Sequence, residues 1–195
     1  MKSHPPMPAP PSQVAALMRG FGPDWFVAGG WAIDLYLREE TRPHEDIEIA
    51  VFREDQRALH RHLDGWLLRK VVDGKLSVWH RDEWLARPVH EIQCSSETAE
   101  PRRLEVLLNE RSGDEWVFRR DERVRRPLAE SCMVSDAGVR FLCPEVVLLY
   151  KSKGPRDKDE HDFAAVVPRL DAERKRWLRA AIALNHPAHH WLQSL

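Results

Sequence analysis

The chain has 195 residues, 43% of them hydrophobic, which supports one packed domain and excludes wholesale disorder. A formal net charge of −1 excludes a strong overall attraction to nucleic acids or membranes. Cys94, Cys132 and Cys143 form no C-x-x-C pair, which indicates reduced thiols in a cytoplasmic protein. No apolar run reaches membrane-spanning length, and the first residues lack the apolar core of a signal peptide.

The first elements along the chain are predicted to be a helix, a strand and a second helix. A mobile, proline-rich leader over residues 1–11 precedes a helix that Ser12 caps. Apolar residues 25–28 predict a core strand, and residues 31–37 predict the helix beyond it. Asp34 lies on this second helix, where capping, substrate contact and plain solvent exposure are all open for it.

A glycine pair and an acidic pair flank this second helix. Backbone amides at Gly29 and Gly30, leading into the helix, favour a phosphate because no Cβ blocks its approach. In a strand predicted over residues 45–52, Asp46 and Glu48 share one face, an arrangement that suits Mg²⁺. A glycine pair is usually only a turn, and such an acidic pair is usually a solvated face. In this order, however, the two features suggest phosphoryl or nucleotidyl transfer.

The stretch that contains both features resembles the DNA polymerase β-type nucleotidyltransferase superfamily. Within it, the chain is most similar to the aminoglycoside 2″-nucleotidyltransferase and lincosamide nucleotidyltransferase branch. The matching residues are Gly29-Gly30-Trp31-Ala32-Ile33-Asp34, Thr41-Arg42 and His44-Glu45-Asp46-Ile47-Glu48. Two positions depart from that branch: Glu48 stands where Asp is usual, and Arg38 stands where a glycine is common. The longer arm of Glu48 implies looser metal geometry.

The resemblance implies an α+β fold, with a mixed β-sheet, flanking helices and a small C-terminal helical cap. We expect a sheet domain over residues 12–143 and a helical segment over residues 144–195 packed on it. The implied activity is transfer of a nucleoside monophosphate, AMP from ATP, to a hydroxyl of a small molecule, with release of pyrophosphate. The implied cofactor is a pair of Mg²⁺ ions, and the implied acceptor is an antibiotic similar to an aminoglycoside or a lincosamide.

The middle of the chain supplies a candidate for a third acid. Residues 66–80 predict a hairpin around Asp73-Gly74, and residues 103–110 predict a strand that carries Glu105 among apolar residues. The pattern alone leaves Glu105 either in a cleft or facing water from an edge strand. The superfamily takes its third acid from a later strand beside the first acidic pair. The resemblance therefore implies that Glu105 joins the other two acids as a catalytic residue and metal ligand, and accepts the acceptor's proton.

The C-terminal part of the chain supplies candidate phosphate ligands. Pro144 begins a helix that carries Lys151, a side chain that the resemblance aims at the triphosphate. Lys151 equally suits the negative end of the helix dipole. Asp159 and Asp162 are expected to form salt bridges around it. The full set expected to bind the nucleotide's phosphates is Gly29, Gly30, Arg42 and Lys151, although Arg42 also suits an ion pair with Glu39 or Glu40.

Two further functions stay open. Residues 119–126 are rich in arginine but interleaved with acids, which is typical of a solvated face; the alternative is contact of Arg123, Arg125 or Arg126 with a nucleotide or RNA. Toxin-type nucleotidyltransferases that act on tRNA share the lysine- and aspartate-bearing helices. A non-catalytic nucleotide-binding relative would also keep this scaffold. The sequence does not specify the acceptor, the nucleotide base or the oligomeric state.

Overall fold

The computed structural model describes residues 9–195. The helices in this range are α1 (Ala9–Leu17), α2 (Gly29–Leu37), α3 (Gln56–His62), α4 (Leu128–Ser131), α5 (Pro144–Lys151), α6 (Asp157–Val166) and α7 (Ala172–Asn185). The strands are β1 (Trp25–Val27), β2 (Glu48–Phe52), β3 (Leu67–Val72), β4 (Lys75–Val78), β5 (Glu91–Ser95), β6 (Arg103–Ser112), β7 (Glu115–Val117), β8 (Arg125–Pro127), β9 (Cys132–Val134) and β10 (Arg140–Leu142).

The boundary between the expected leader and the first helix differs from the prediction. Residues 1–8 of the leader lie outside the described residues. Its last three residues, 9–11, belong to α1, so the helix begins before Ser12. Prolines fit the first turn of a helix because the amides there have no partner within the helix.

The strands form a mixed 10-stranded sheet in the order β4-β3-β5-β6-β2-β1-β10-β9, and β7 and β8 extend it from β6. Strand β2 runs parallel to β6, and β1 runs parallel to β10. The other neighbours are antiparallel. The α+β fold with a mixed sheet is therefore confirmed, and so is the hairpin at Asp73-Gly74, which joins β3 to β4.

The central pair of parallel strands separates the core from a polar surface. Ile49 on β2 and Val106 on β6 are paired in register and fully buried, and Leu108 continues this apolar face. One residue earlier on each strand, Glu48 is paired with Glu105. Because side chains alternate across a strand, burial of the apolar set places both carboxylates on the opposite face of the sheet.

Strand β2 begins at Glu48, three residues after the predicted start. Asp46 therefore lies in the loop that precedes the strand. Its carbonyl oxygen accepts a hydrogen bond of 3.2 Å from the indole nitrogen of Trp31. The carbonyl of Ile47 accepts from the amide of Glu105 at 3.0 Å, which is where pairing with β6 starts.

The C-terminal helices pack on the sheet unit, with α5 in contact with both α2 and α7. The fully buried carboxylate of Glu145 on α5 holds this packing together. It accepts hydrogen bonds from Arg126 Nη1 at 2.7 Å and from Arg174 Nη1 at 2.9 Å. Within residues 9–195, no helix is both long enough and apolar enough to cross a membrane.

Replacing Glu145 with Gln should lower the free energy of unfolding by about 3 kcal/mol, because two arginines lose their shared counter-charge in a buried site. Urea unfolding followed by tryptophan fluorescence measures this loss. The matched control is Glu130→Gln: Glu130 lies 4.0 Å from Arg126, but its side chain is 59% exposed. That change should cost less than about 0.5 kcal/mol. Equal losses in the two variants would contradict the assignment.

Candidate active site

One cleft of about 880 Å³ opens on the polar face of β2 and β6, beside the N-terminus of α2 and the end of α5. The seven residues expected to bind metal or the nucleotide's phosphates all line it: Gly29, Gly30, Arg42, Asp46, Glu48, Glu105 and Lys151. Residues that are far apart in the sequence therefore meet at one surface. What each of them does there is a separate question, and the local geometry constrains the answer.

The glycine turn is in contact with the side chain of Glu48. Gly29 has a φ of +58°, and a Cβ added to it would overlap Glu48 Oε2. The backbone N–H of Gly30 donates a hydrogen bond to the same carboxylate. A Cβ on Gly30 would instead overlap His44 and the Arg42 guanidinium. The long arm of Glu48 thus places an anion at the helix N-terminus, the position where the sequence predicts a phosphate.

The acidic side chains of the cleft repel one another. Burial, the nearby Glu48 and the nearby Glu91 together raise the pKa of Glu105 to about 8. Burial also raises the pKa of Glu48, and the charge of Asp46 adds to this effect. Asp46 is exposed at the rim of the cleft, in the loop before β2. At Glu48 and Glu105, burial and mutual repulsion together therefore outweigh the nearby positive charges.

Within residues 9–195, no three His, Cys, Asp or Glu side chains lie close enough together to hold a metal ion. The carboxylate of Glu48 accepts a hydrogen bond from the amide of Gly30. The donor set nevertheless fits Mg²⁺. Asp46, Glu48 and Glu105 offer hard oxygen ligands in one cleft, and the mutual repulsion that raises the pKa of Glu105 is relieved by a cation.

Asp34 anchors the loop that leads to Asp46. It is 2% exposed, which rules out plain solvent exposure among the three roles left open for it. Its Oδ1 accepts from the hydroxyl of Thr41 at 2.7 Å, and its Oδ2 lies 2.5 Å from Nε2 of His44. The His44 ring in turn packs 4.5 Å from the ring of Trp31. The sequence offered one signal of this network, a carboxylate inside an otherwise apolar helix.

Arg42 and Lys151 meet on a second buried carboxylate. Arg42 Nε donates to Asp162 Oδ1 at 2.8 Å, and Lys151 Nζ lies 3.0 Å from Asp162 Oδ2 and 2.6 Å from Asp159 Oδ1. The alternative partners of Arg42, Glu39 and Glu40, are not the ones that it contacts. Asp159 and Asp162 form the salt bridges expected of them. The aspartates hold both cations at the wall of the cleft, close to the glycine turn.

A second basic group lines the cleft at its other end, and sequence reasoning missed it. Arg119 and Arg120 lie here beside Tyr150, together with His90 and Asn109. The three arginines that the sequence singled out instead have acidic partners and do not line the cleft: Arg123 pairs with Asp121, Arg125 with Glu115 and Glu122, and Arg126 with Glu145. Only the fold distinguishes the arginines of one continuous run.

Comparison with known proteins links this chain to one family. Residues 12–166 match the family model described as aminoglycoside-2″-adenylyltransferase. The crystal structure of ANT(2″)-Ia in complex with adenylyl-2″-tobramycin is similar, with a TM-score of 0.62 and 17% identity over 90% of this chain and 95% of that one. The lincomycin-bound lincosamide adenylyltransferase LnuA has a TM-score of 0.56 and 16% identity over 78% and 91%. No curated protein sequence matches the chain.

A Gly29→Ala variant should lose about 2 kcal/mol or more of unfolding free energy, because a left-handed backbone and an overlap with Glu48 both oppose the new methyl group. Gly113→Ala is the matched control, since Gly113 has a φ of +57° and open space around it. It should lose only the backbone cost of about 1 kcal/mol. In a Glu48→Asp background, the Gly29→Ala loss should shrink by about 1 kcal/mol. Strictly additive losses in chemical denaturation would contradict the contact.

The raised pKa of Glu105 predicts a pH-dependent stability in the presence of a chelator. Its pKa is 4.5 ordinarily and about 8 in the folded protein. Between these values the folded state retains a proton that the unfolded chain has released, so the free energy of unfolding falls as the pH rises. In Glu105→Gln this loss is absent. Between about pH 5 and about pH 9, the free energy of unfolding of the variant should rise by about 1 kcal/mol or more relative to that of the native protein. Glu97 is exposed, so the free energy of unfolding of Glu97→Gln should depend on pH as that of the native protein does. The same pH dependence in Glu105→Gln would contradict the raised pKa of Glu105.

Proposed function

Since the chain belongs to the aminoglycoside-2″-adenylyltransferase family and is a nucleotidyltransferase, we propose that it transfers AMP from ATP to a hydroxyl of a small molecule and releases pyrophosphate. The observation that carries the proposal is the parallel register of Glu48 with Glu105 in a cleft that also contains the glycine turn. Two carboxylates on neighbouring strands, next to an anion-favouring helix end, suit a reaction at a phosphate.

The nucleotide's phosphates would bind at the glycine end of the cleft. The amides of Gly29 and Gly30 would donate to phosphate oxygens, and Arg42 and Lys151 would neutralise the departing pyrophosphate. Support for this comes from Asp162, which holds both cations beside the turn. Arg156 and Lys158 line the same end and add positive charge. A phosphate at the turn takes the amide that Glu48 now occupies, so the Glu48 carboxylate becomes available to the cleft.

Asp46, Glu48 and Glu105 would hold the magnesium ions. When bound, Mg²⁺ neutralises phosphate charge and stabilises the attacking and leaving oxygens of an in-line displacement. The chain's own acids have a further task, removal of the proton from the acceptor's hydroxyl. Glu105 would be suited to it, because a carboxylate beside a hydroxyl that the metal polarises needs little basicity to accept the proton.

The acceptor candidates come from the relatives. ANT(2″)-Ia is described with adenylyl-2″-tobramycin, and LnuA with lincomycin. Hydroxylated antibiotics of these two kinds are therefore the first acceptors to test, and resistance to such an antibiotic in the cytoplasm is the corresponding biological role. The cleft volume of about 880 Å³ is large enough for a nucleotide and part of a small acceptor.

The test is incubation of the protein with labelled ATP and Mg²⁺ and with tobramycin, lincomycin and tRNA as separate acceptors. The expected result is a product heavier than its acceptor by one adenylate group, with release of pyrophosphate. Transfer to tRNA alone would replace the small-molecule assignment with the toxin-type activity. Binding of ATP without transfer to any acceptor in a broad hydroxyl panel would leave only a nucleotide-binding protein.

Asp46→Asn should lower kcat/KM at least about 100-fold, because one charged ligand of the transferring phosphate's metal is lost. The stabilisation of the protein by Mg²⁺ with ATP, measured as a shift in Tm, should fall as well, while far-UV circular dichroism stays unchanged. Glu45→Gln is the matched control, since Glu45 is an exposed acid of the same loop and also lines the cleft. Unchanged turnover in Asp46→Asn would remove Asp46 from the mechanism.

A further inference from the structure

The end of the cleft away from the glycine turn carries two arginines without an acidic partner. Among residues 9–195, neither Arg119 nor Arg120 forms an ion pair with a carboxylate, although both line the cleft. The Arg119 guanidinium lies 5.4 Å from the centre of the Tyr150 ring. Arg120 donates to the carbonyl oxygen of Tyr150 at 2.7 Å, a contact that fixes the side chain but leaves its charge unneutralised.

Partial burial makes a bound anion favourable at Arg119, whereas Arg120 is exposed. Arg119 is half-buried, and desolvation lowers its pKa to about 10. His90 lies close by, and its own pKa is lowered by burial and by the charges of Arg119 and Arg120. A positive charge that is removed from water and repelled by its neighbours is stabilised by a negatively charged ligand. Asn109 and Tyr150 are bonded to each other at 3.1 Å and supply no charge. The charge of Glu110 reaches Arg119, but Glu110 pairs with Arg53 and Arg87.

The carboxylates of the cleft are mostly committed elsewhere. Six line it, from the residues that the structure describes: Glu45, Asp46, Glu48, Glu91, Glu105 and Asp159. Three of these are the proposed metal ligands, and Asp159 pairs with Lys151 and Arg156. Glu45 and Glu91 remain. Of the seven lysine and arginine side chains in the same lining, Arg42, Lys151 and Arg156 are held by Asp159 and Asp162, which leaves four: Arg119, Arg120, Lys153 and Lys158. At the end of the cleft formed by Arg119 and Arg120, the ammonium groups of a polycationic acceptor would meet repulsion, since like charges disfavour binding.

The position of Arg119 and Arg120 in the cleft indicates which ligand they bind. The glycine turn follows β1, the carboxylates lie on β2 and β6, and His90 directly precedes β5, the next strand across the sheet. Asn109 lies four residues beyond Glu105 on β6, roughly 13 Å along the strand. With the pyrophosphate leaving on the glycine side, an in-line displacement brings the acceptor from the opposite side. Both arginines contact Tyr150, whose hydroxyl donates to Asn109, so the pair lies towards that end of the cleft.

We propose that the acceptor of this enzyme is an anionic hydroxylated molecule, bearing a carboxylate or a phosphate that binds Arg119 and Arg120, rather than a polycationic aminoglycoside. This inference rests on the proposed function. In the transfer, the acceptor's hydroxyl oxygen forms a bond to the α-phosphorus of ATP. The bond from that phosphorus to the bridging oxygen breaks, pyrophosphate leaves with the electron pair, and the hydroxyl proton passes to Glu105.

The experiment compares matched acceptors that differ in charge: glucuronate, a glucose phosphate, glucose and tobramycin, each with ATP and Mg²⁺ and the full chain. We expect kcat/KM for one of the two anions to exceed that for glucose at least about tenfold, the scale of one charge-assisted contact. The carboxylate and phosphate members identify which anion is preferred. Preference for tobramycin, or equal use of glucose and both anions, would overturn the inference while leaving the transferase activity in place.

Variants of Arg119 separate binding of the acceptor from binding of ATP. Arg119→Gln should raise the KM for the anionic acceptor about tenfold and leave the KM for ATP unchanged, and Arg119→Lys should restore part of the loss. The matched control is Arg123→Gln, because the exposed Arg123 pairs with Asp121 outside the cleft. A change in the KM for ATP alone would assign Arg119 to the nucleotide and overturn the proposal.

A binding measurement keeps the two proposals distinguishable. Titration of the same anions into the protein with Mg²⁺ and a non-hydrolysable ATP analogue should show binding that Arg119→Gln weakens about tenfold. If that binding persists while no acceptor is ever modified, the proposed function fails and the anion site stands. If the anions do not bind, or if tRNA is the modified acceptor, the anionic small-molecule assignment falls.

Discussion

The parallel pairing of β2 with β6 is the constraint on which the rest of this molecule depends. It fixes Glu48 opposite Glu105, and because the alternate residues of both strands are buried, neither carboxylate can turn away into the core. The fold thus forces two acids together at the surface of a half-buried cleft, where the pKa of Glu105 rises to about 8. Such an arrangement costs stability, and it persists in functional sites because a charged ligand offsets the repulsion.

Two further buried carboxylates organise the walls around that pair. Asp34, on the helix after the glycine turn, holds the loop that presents Asp46. Asp162, on α6, holds Arg42 from that loop together with Lys151 from α5. The loop therefore connects the sheet to the C-terminal helices through charge-assisted bonds, so that the acidic and the basic walls of the cleft keep a common position.

Much of the architecture follows from local sequence signals. The hairpin at Asp73-Gly74 and the acid-bearing strand around Glu105 needed only turn chemistry and alternation, and the resemblance supplied the mixed sheet. What the sequence could not show depends on contacts between distant residues. The direction of the Glu48 arm depends on the amide of Gly30, and the burial of Asp34 depends on a loop seven to ten residues further on. Within one arginine run, the tertiary fold alone decides that Arg119 faces the cleft while Arg123 pairs with Asp121.

Because Glu48 contacts the glycine turn, its carboxylate competes with the proposed phosphate for the amide of Gly30. In the proposed function, a phosphate at the turn would need the backbone amide that Glu48 now occupies, so each arriving nucleotide would first have to displace the protein's own anion. The apparent dissociation constant is then the intrinsic one divided by the fraction of molecules in which the turn is vacant. An aspartate at this position is one methylene shorter. The choice of Glu over Asp would in that case set how much ATP the cell must contain before the protein is saturated.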